Sequence, residues 1–207
     1  MPTFYHPDLL DHGLDRIRAQ KQAGNDVEIH LVSNYTAGDS YATVNGNSLG
    51  GVDLATGDLT LDDQGTNGRE VNIAAKSVAA ATGSSTTHHS GTATAGASTT
   101  LTETGAGHTV DEHIGRVVVI TGGTGSGQKR RITDNDATVL TVESAWTTNP
   151  STDSTYEIRD DLHIAVLDKT DSKVLAVVEE TSEQVITSGN PIDIPAIALQ
   201  KNQPTSS

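Results

Sequence analysis

The sequence predicts a mainly β protein: a discontinuous base domain of sandwich or barrel type with a short N-terminal helix, interrupted by a small inserted antiparallel β domain. Three observations predict it. Runs of four to seven residues rich in β-branched side chains alternate with clusters of Gly, Asn, Asp and Pro, the pattern of antiparallel strands joined by turns. Aromatic residues make up 3% of the chain, so a core must be assembled from Val, Ile, Leu and Ala. The style of the sequence also changes twice, once in a Ser/Thr/Gly-rich stretch over residues 79–100 and once at Arg159, Asp160 and Asp161. Those two seams divide the chain into residues 1–88, a first part of the base domain with the helix, residues 89–160, an inserted module, and residues 161–207, the second part of the base.

In chain order, Leu10, Leu14 and Ile17 recur at helical spacing, Asp8 can cap and Gly24 can terminate, which predicts a helix over residues 8–22 packed on a sheet edge. Gly13 weakens it by roughly 1 kcal/mol relative to Ala. Val27, Ile29 and Leu31 alternate with Glu28 and His30, which predicts a strand over 27–32. Residues 34–53 fit either a short helix or two irregular strands. Alternation returns over 58–62 and, after a turn at 65–68, over 69–74.

Residues 79–100, AAATGSSTTHHSGTATAGASTT, hold almost no large apolar side chain. Such a stretch cannot offset its ordering entropy alone, so it reads as a linker or as an edge of small residues held by neighbours. Residues 115–160 carry the strongest turn signals, the single Trp and the densest β-branched runs, which predict strands over 117–120, 128–133, 139–142 and 155–159. Two apolar strands follow at 162–167 and 174–178, joined by a polar loop of hairpin length. A last extended run over 192–199 contains Pro195, which argues for an edge strand or a bulge.

Acidic side chains outnumber basic ones 27 to 13, a formal net charge of -14, and such a surface repels nucleic-acid phosphates. No direct nucleic-acid partner is expected. Cysteine is absent, so neither a disulfide framework nor thiol chemistry is available. The N-terminal stretch lacks a basic segment followed by an apolar one, and no apolar run approaches the ~18 residues of a membrane span. Synthesis and folding in a cytoplasm, with no membrane partner, are the expectation.

Several motifs invite a chemical reading. Thr121 to Lys129, TGGTGSGQK, resembles a phosphate-binding loop, but Gln128 separates the last Gly from Lys129, and Arg130 to Thr133 continue as a strand where a helix is needed. The glycines are expected to supply left-handed backbone angles in a hairpin loop. His88, His89, His108 and His113, with Glu112 beside the last, are the residues at which a metal would have to sit. Their spacing fits no helical pair, and they are read as exposed polar histidines on loops unless folding or an oligomer axis converges them. The acidic pairs Asp62 and Asp63, Asp111 and Glu112, Asp160 and Asp161, and Glu179 and Glu180 are expected to be solvated. No G-x-S-x-G elbow occurs, and Trp146 is expected to anchor the small core of the insertion. No catalytic, cofactor-binding or metal-ligating residue is assigned, and no cofactor is expected.

Two resemblances bear on function. Residues 113–158, HIGRVVVITGGTGSGQKRRITDNDATVLTVESAWTTNPSTDSTYEI, resemble a small β module that recurs in virion proteins of tailed bacteriophages, with Asp134 in the variable place of its Ile-Thr-x-Asn turn. The flanks, GREVNIAA at 68–75, LHIAVLDKTDSKVLAVVEE at 162–180 and ITSGNPIDIPAIAL at 186–199, resemble phage head decoration, or cement, proteins. The resemblance implies a non-enzymatic virion structural protein on the outer surface of the capsid. Its expected partners are the major capsid protein and copies of itself, as a homo-oligomer for which a trimer is one arrangement. A tail, neck or fibre component is the alternative, and a carbohydrate-binding surface module or hydrolase is the alternative of another class.

Overall fold

The computed structural model describes residues 4–5, 15–63, 69–181 and 184–201. It is mainly β, with several antiparallel sheets and short helices, and the chain forms two compact units: Met1–Ser84 with Leu162–Ser207, and Ser85–Asp161. The first seam therefore falls four residues before the one expected after residue 88. Thr87 and His89 pair with Arg159 and Ile158, which places them inside the inserted unit.

In the base unit, a five-stranded sheet has the order β1 (Phe4–Tyr5), β15 (Lys173–Glu179), β14 (Leu162–Asp168), β2 (Val27–Ser33), β3 (Ser48–Asp53). Its central strand β14 is buried along its whole length, so both faces of the sheet must be covered. On one face Val27, Ile29, Leu31, Leu162, Ile164 and Val166 share a core with two smaller sheets. One is β17 (Ile197–Lys201), β5 (Arg69–Ile73) and β4 (Leu59–Asp63); the other is β16 (Ile192–Ile194) with β6 (Lys76–Val78). Opposed sheets around one apolar layer make this unit sandwich-like. On the other face Val32, Ala165, Leu167 and Val177 pack with Tyr35 and Val44. Val44 lies on a helix, Tyr41–Gly46, that Ser40 caps by accepting from the Thr43 N–H at 3.2 Å. The ambiguous stretch 34–53 is thus this helix followed by β3.

The N-terminal helix is described over Asp15–Gln22, with Ile17 fully buried, and Gly24 ends it at φ 92°. The first part of the expected helix, with Asp8, Leu10, Gly13 and Leu14, lies outside the described residues, as do the turn at 65–68 and residues 202–207. The hairpin between β14 and β15 is cross-braced by the fully buried Asp168, whose carboxylate accepts from Gln20 Nε2 at 3.0 Å, Asn25 Nδ2 at 2.8 Å and the Asp171 N–H at 3.0 Å. Pro195 separates β16 from β17, which lie in different sheets; lacking an N–H, it sits where the chain leaves one ladder for another.

The inserted unit is a seven-stranded antiparallel sheet of order β7 (Thr87–Thr92), β13 (Thr155–Arg159), β10 (Val117–Gly122), β11 (Lys129–Asn135), β12 (Val139–Val142), β9 (Thr100–Thr102), β8 (Ala95–Ala97). Two of its strands, β7 and β8, come from the stretch expected to be a linker or a small-residue edge, and β9 starts at its last residue. β7 and β8, consecutive in the chain, hold the two ends of the sheet: the Ala93 N–H donates to Ser154 O at 2.9 Å and the Thr94 N–H to Thr102 O at 2.7 Å. The chain thereby joins both edges, which supplies the backbone partners that side-chain burial alone would not. Leu101, Val118, Ile120, Ile132, Leu140, Trp146, Tyr156 and Ile158 fill the interior.

A buried histidine ladder as candidate functional site

The site grows from the alternation of β7. His89, Gly91 and Ala93 lie on the face that also carries Tyr156 and Ile158 of β13, their ladder partners or neighbours. Gly91 is needed there, because a Cβ on it would collide with the Glu103 carboxylate. Through that gap Glu103 Oε2 accepts from the Tyr156 hydroxyl at 2.6 Å and from His89 Nε2 at 2.8 Å. Burial raises the Glu103 carboxyl, but the hydrogen bonds from Tyr156 and His89 outweigh it and leave the group below its ordinary value. The Tyr156 hydroxyl is driven up, first by burial and then by the carboxylate it faces.

Three rings stack edge to face beside this carboxylate. The centroids of His89 and His108 are 4.6 Å apart, and those of His108 and His113 are 4.7 Å apart. The proton positions follow from one fact: a guanidinium can only donate. Arg116 Nη1 lies 2.7 Å from His113 Nδ1, so Nδ1 is the acceptor and the proton of His113 is on Nε2. That Nε2 lies 3.0 Å from His108 Nδ1, which must accept, so His108 carries its proton on Nε2, an atom that is buried without a hydrogen-bond partner. Burial is the main reason that both imidazoles are held below the ordinary value, His113 at about 4, with the positive charge of neighbours adding to it.

The expectation of exposed loop histidines is therefore corrected. His89 lies on a strand, and His108 and His113 are 8% and 2% exposed. His88 stands apart, with Nε2 2.8 Å from Asp160 Oδ1. Both nitrogens of His113, Nδ1 of His108 and Nε2 of His89 are spent on one another, on Arg116 and on Glu103, and the three rings are not among the sets of described residues that converge three ligand atoms. Among the described residues the set with metal-ligand convergence is Asp26, Glu28 and Asp53 in the base unit. There Lys169 Nζ already reaches Glu28 at 2.8 Å and Asp26 at 3.7 Å.

Two acidic pairs also depart from expectation. Asp160 and Asp161 are buried at the neck of the inserted unit, where Asp160 accepts from the Thr86 N–H at 2.9 Å and Asp161 pairs with Arg131 at 2.9 Å. Glu180 is buried as well.

The glycine loop takes the left-handed form, with φ of 71°, 82° and 84° at Gly123, Gly125 and Gly127. Its Thr124 N–H is taken by Asp153 Oδ2 at 3.1 Å, a carboxylate of the protein in the place a phosphate would want. Gln128 clasps the loop to the next one, donating to Thr148 O at 2.8 Å and accepting from the Thr147 N–H at 2.7 Å. Trp146 is 5% exposed, with the Arg130 guanidinium 5.5 Å from its ring centroid. Glu103, Arg116 and Asn135 are polar residues of the site to which sequence reasoning gave no role, and Gln128 was noted only for breaking the phosphate-loop pattern. Asn135 is buried and accepts from the His113 N–H at 2.8 Å while donating to Thr109 O at 2.8 Å. Its place in the Ile-Thr-x-Asn turn was the one available signal.

Fold and site together define a two-unit, mainly β chain whose inserted unit has a polar ladder of stacked histidines in its interior. No family model, curated protein or solved structure matches the chain.

Proposed function

We propose that the chain is a non-enzymatic structural protein of a tailed-bacteriophage virion that binds the outer surface of the capsid and stabilises the head. The observation that carries this reading is the closed, independent build of the inserted unit, with its own core and a neck in which Thr86 and Asp160 bond each other in both directions. Such a unit adds a module to a base without disturbing the base's own sheets, which β1, β16 and β17 complete from both ends of the chain. The base unit is the part proposed to dock on the major capsid protein and on further copies of the chain. The chain's net charge of -14 suits a place away from packaged DNA. Two side chains that first suggest chemistry support the reading too: Trp146 packs in the core of the inserted unit, and Asp160 is committed to an internal contact.

Undecorated shells mixed with the purified protein test the proposal. Co-sedimentation and a higher melting temperature of the shell, saturating with added protein, are expected by mass action. Binding to tails with none to shells places the protein in the tail, neck or fibre and overturns the capsid assignment. Turnover or binding of a glycan without either would overturn the structural class.

A further inference from the structure

Of residues 104–116, the turn-rich loop between β9 and β10, His108 and His113 are the two that are buried. Val110 and Ile114 on the same loop are 63% and 51% exposed. The loop is therefore held by polar anchors, since its apolar side chains contribute little burial. We propose that Arg116, His113 and His108 form an acid-released latch that fixes this loop, with Val110 and Ile114, while both imidazoles are neutral and frees it when either ring takes a proton.

The hydrogen-bond directions carry the proposal. Arg116 donates to His113 Nδ1, and His113 Nε2 donates to His108 Nδ1, so neither ring keeps an unengaged lone pair. A proton added to His113 must go to Nδ1, where it meets the N–H of Arg116. A proton added to His108 must go to its own Nδ1, where it meets the N–H of His113. Each protonation thus breaks one link and sets two donors face to face in a buried site.

The charged and titratable groups around the rings come from every neighbouring element. Arg116 ends the loop, and His88 and His89 on β7 add positive charge when protonated; all three oppose a proton on the rings they face. Glu103 after β9, Glu112 on the loop and Asp136 before β12 favour one. Glu103 is already engaged by His89 and Tyr156. Burial and the cations prevail, so both rings take a proton less readily than a free imidazole, His113 only towards about pH 4.

Histidine ring NMR and amide exchange on the full chain test the latch. At about pH 7 the rings of His108 and His113 should both carry their proton on Nε2. Between about pH 7 and about pH 4, exchange protection over residues 104–115, corrected for intrinsic rates, should fall at least about tenfold while the amides of β10, β13 and β14 keep theirs. In Arg116→Gln the fall should move to higher pH, because the cation that opposes His113 protonation is gone. In His113→Asn protection of the loop should be low already at neutral pH and flat with acid. Should that variant not fold, Arg116→Gln at its half-exposed site carries the test. Loss of protection in loop and core strands together, an identical pH profile in wild type and Arg116→Gln, or rings that titrate with no change in the loop would each overturn the proposal.

Discussion

Tyr156 donates its hydroxyl hydrogen to Glu103 Oε2 at 2.6 Å, and the same oxygen receives His89 Nε2 at 2.8 Å, so one carboxylate ties β13, β7 and the end of β9 together in the interior of the inserted unit. Removing a donor and removing the acceptor should differ. Tyr156→Phe keeps the ring in the core and deletes one charge-assisted bond, a loss of about 2 kcal/mol. Glu103→Ala leaves the Tyr156 hydroxyl and His89 without their partner and should cost about 2–4 kcal/mol. Chemical denaturation followed by Trp146 fluorescence reads the inserted unit selectively, since the chain has a single Trp. Equal losses in the two variants would mean that the carboxylate does not bridge.

Acid should weaken the inserted unit through His113. Its folded-state value of about 4 lies below the ordinary 6.5, so an unfolded chain binds the proton first as pH falls. The stabilisation is complete above about pH 6.5 and is lost as pH falls towards about 4, by at most about 3 kcal/mol. Glu103, also held below its ordinary value, adds to the loss in the same direction at lower pH still. Denaturation midpoints measured by Trp146 fluorescence across this range should slope downward with acid, and the slope should flatten in His113→Asn. A midpoint that rises with acid would contradict a His113 that resists protonation in the folded chain.

Excision should leave two folded proteins. The ends of the inserted unit meet, because the Asp160 N–H donates to Thr86 O at 3.1 Å and the Thr86 N–H donates to Asp160 Oδ2 at 2.9 Å. A fragment of residues 85–161 should therefore fold alone with dispersed NMR spectra, and a base chain with those residues replaced by a short Gly/Ser linker should melt cooperatively. A molten fragment would show that the seven-stranded sheet needs the base to hold it.

What could be read from sequence follows from where each strand finds its stabilisation. β14 and β10 were legible because Leu162, Ile164, Val166, Val118 and Ile120 announce burial by their own chemistry. β7 and β8 were not, because Thr, Ser, Gly, Ala and His reveal nothing of a strand whose stability comes from backbone partners and, in β7, from a carboxylate admitted over Gly91. The helix around Val44 was ambiguous because it is one turn and a half with a single buried side chain. The four histidines could be named, but the residues that give three of them a direction could not. Arg116 and Glu103 look like ordinary surface charges until the fold brings them to the rings, and Asn135 looks like an ordinary turn residue.

Gly91 should be sensitive to a single methyl group. Its backbone pairs with Tyr156, and the space where a Cβ would stand is filled by the Glu103 carboxylate. In Gly91→Ala the carboxylate must move off Tyr156 and His89, whereas the strand itself gains, since Gly is the residue least favourable to an extended interior. The two effects oppose each other, and their sizes decide the sign: about 1 kcal/mol of backbone gain at most against about 2–4 kcal/mol for a displaced carboxylate and two unpaired donors. A net loss is therefore expected, together with a fall of the Tyr156 hydroxyl towards its ordinary titration as the facing carboxylate withdraws. In Gly91→Ala combined with Glu103→Ala the clash disappears, and the alanine at 91 should then be neutral or stabilising relative to Glu103→Ala alone. A double variant as weak as the sum of the two single changes would place the cost of a methyl group at 91 somewhere other than on Glu103.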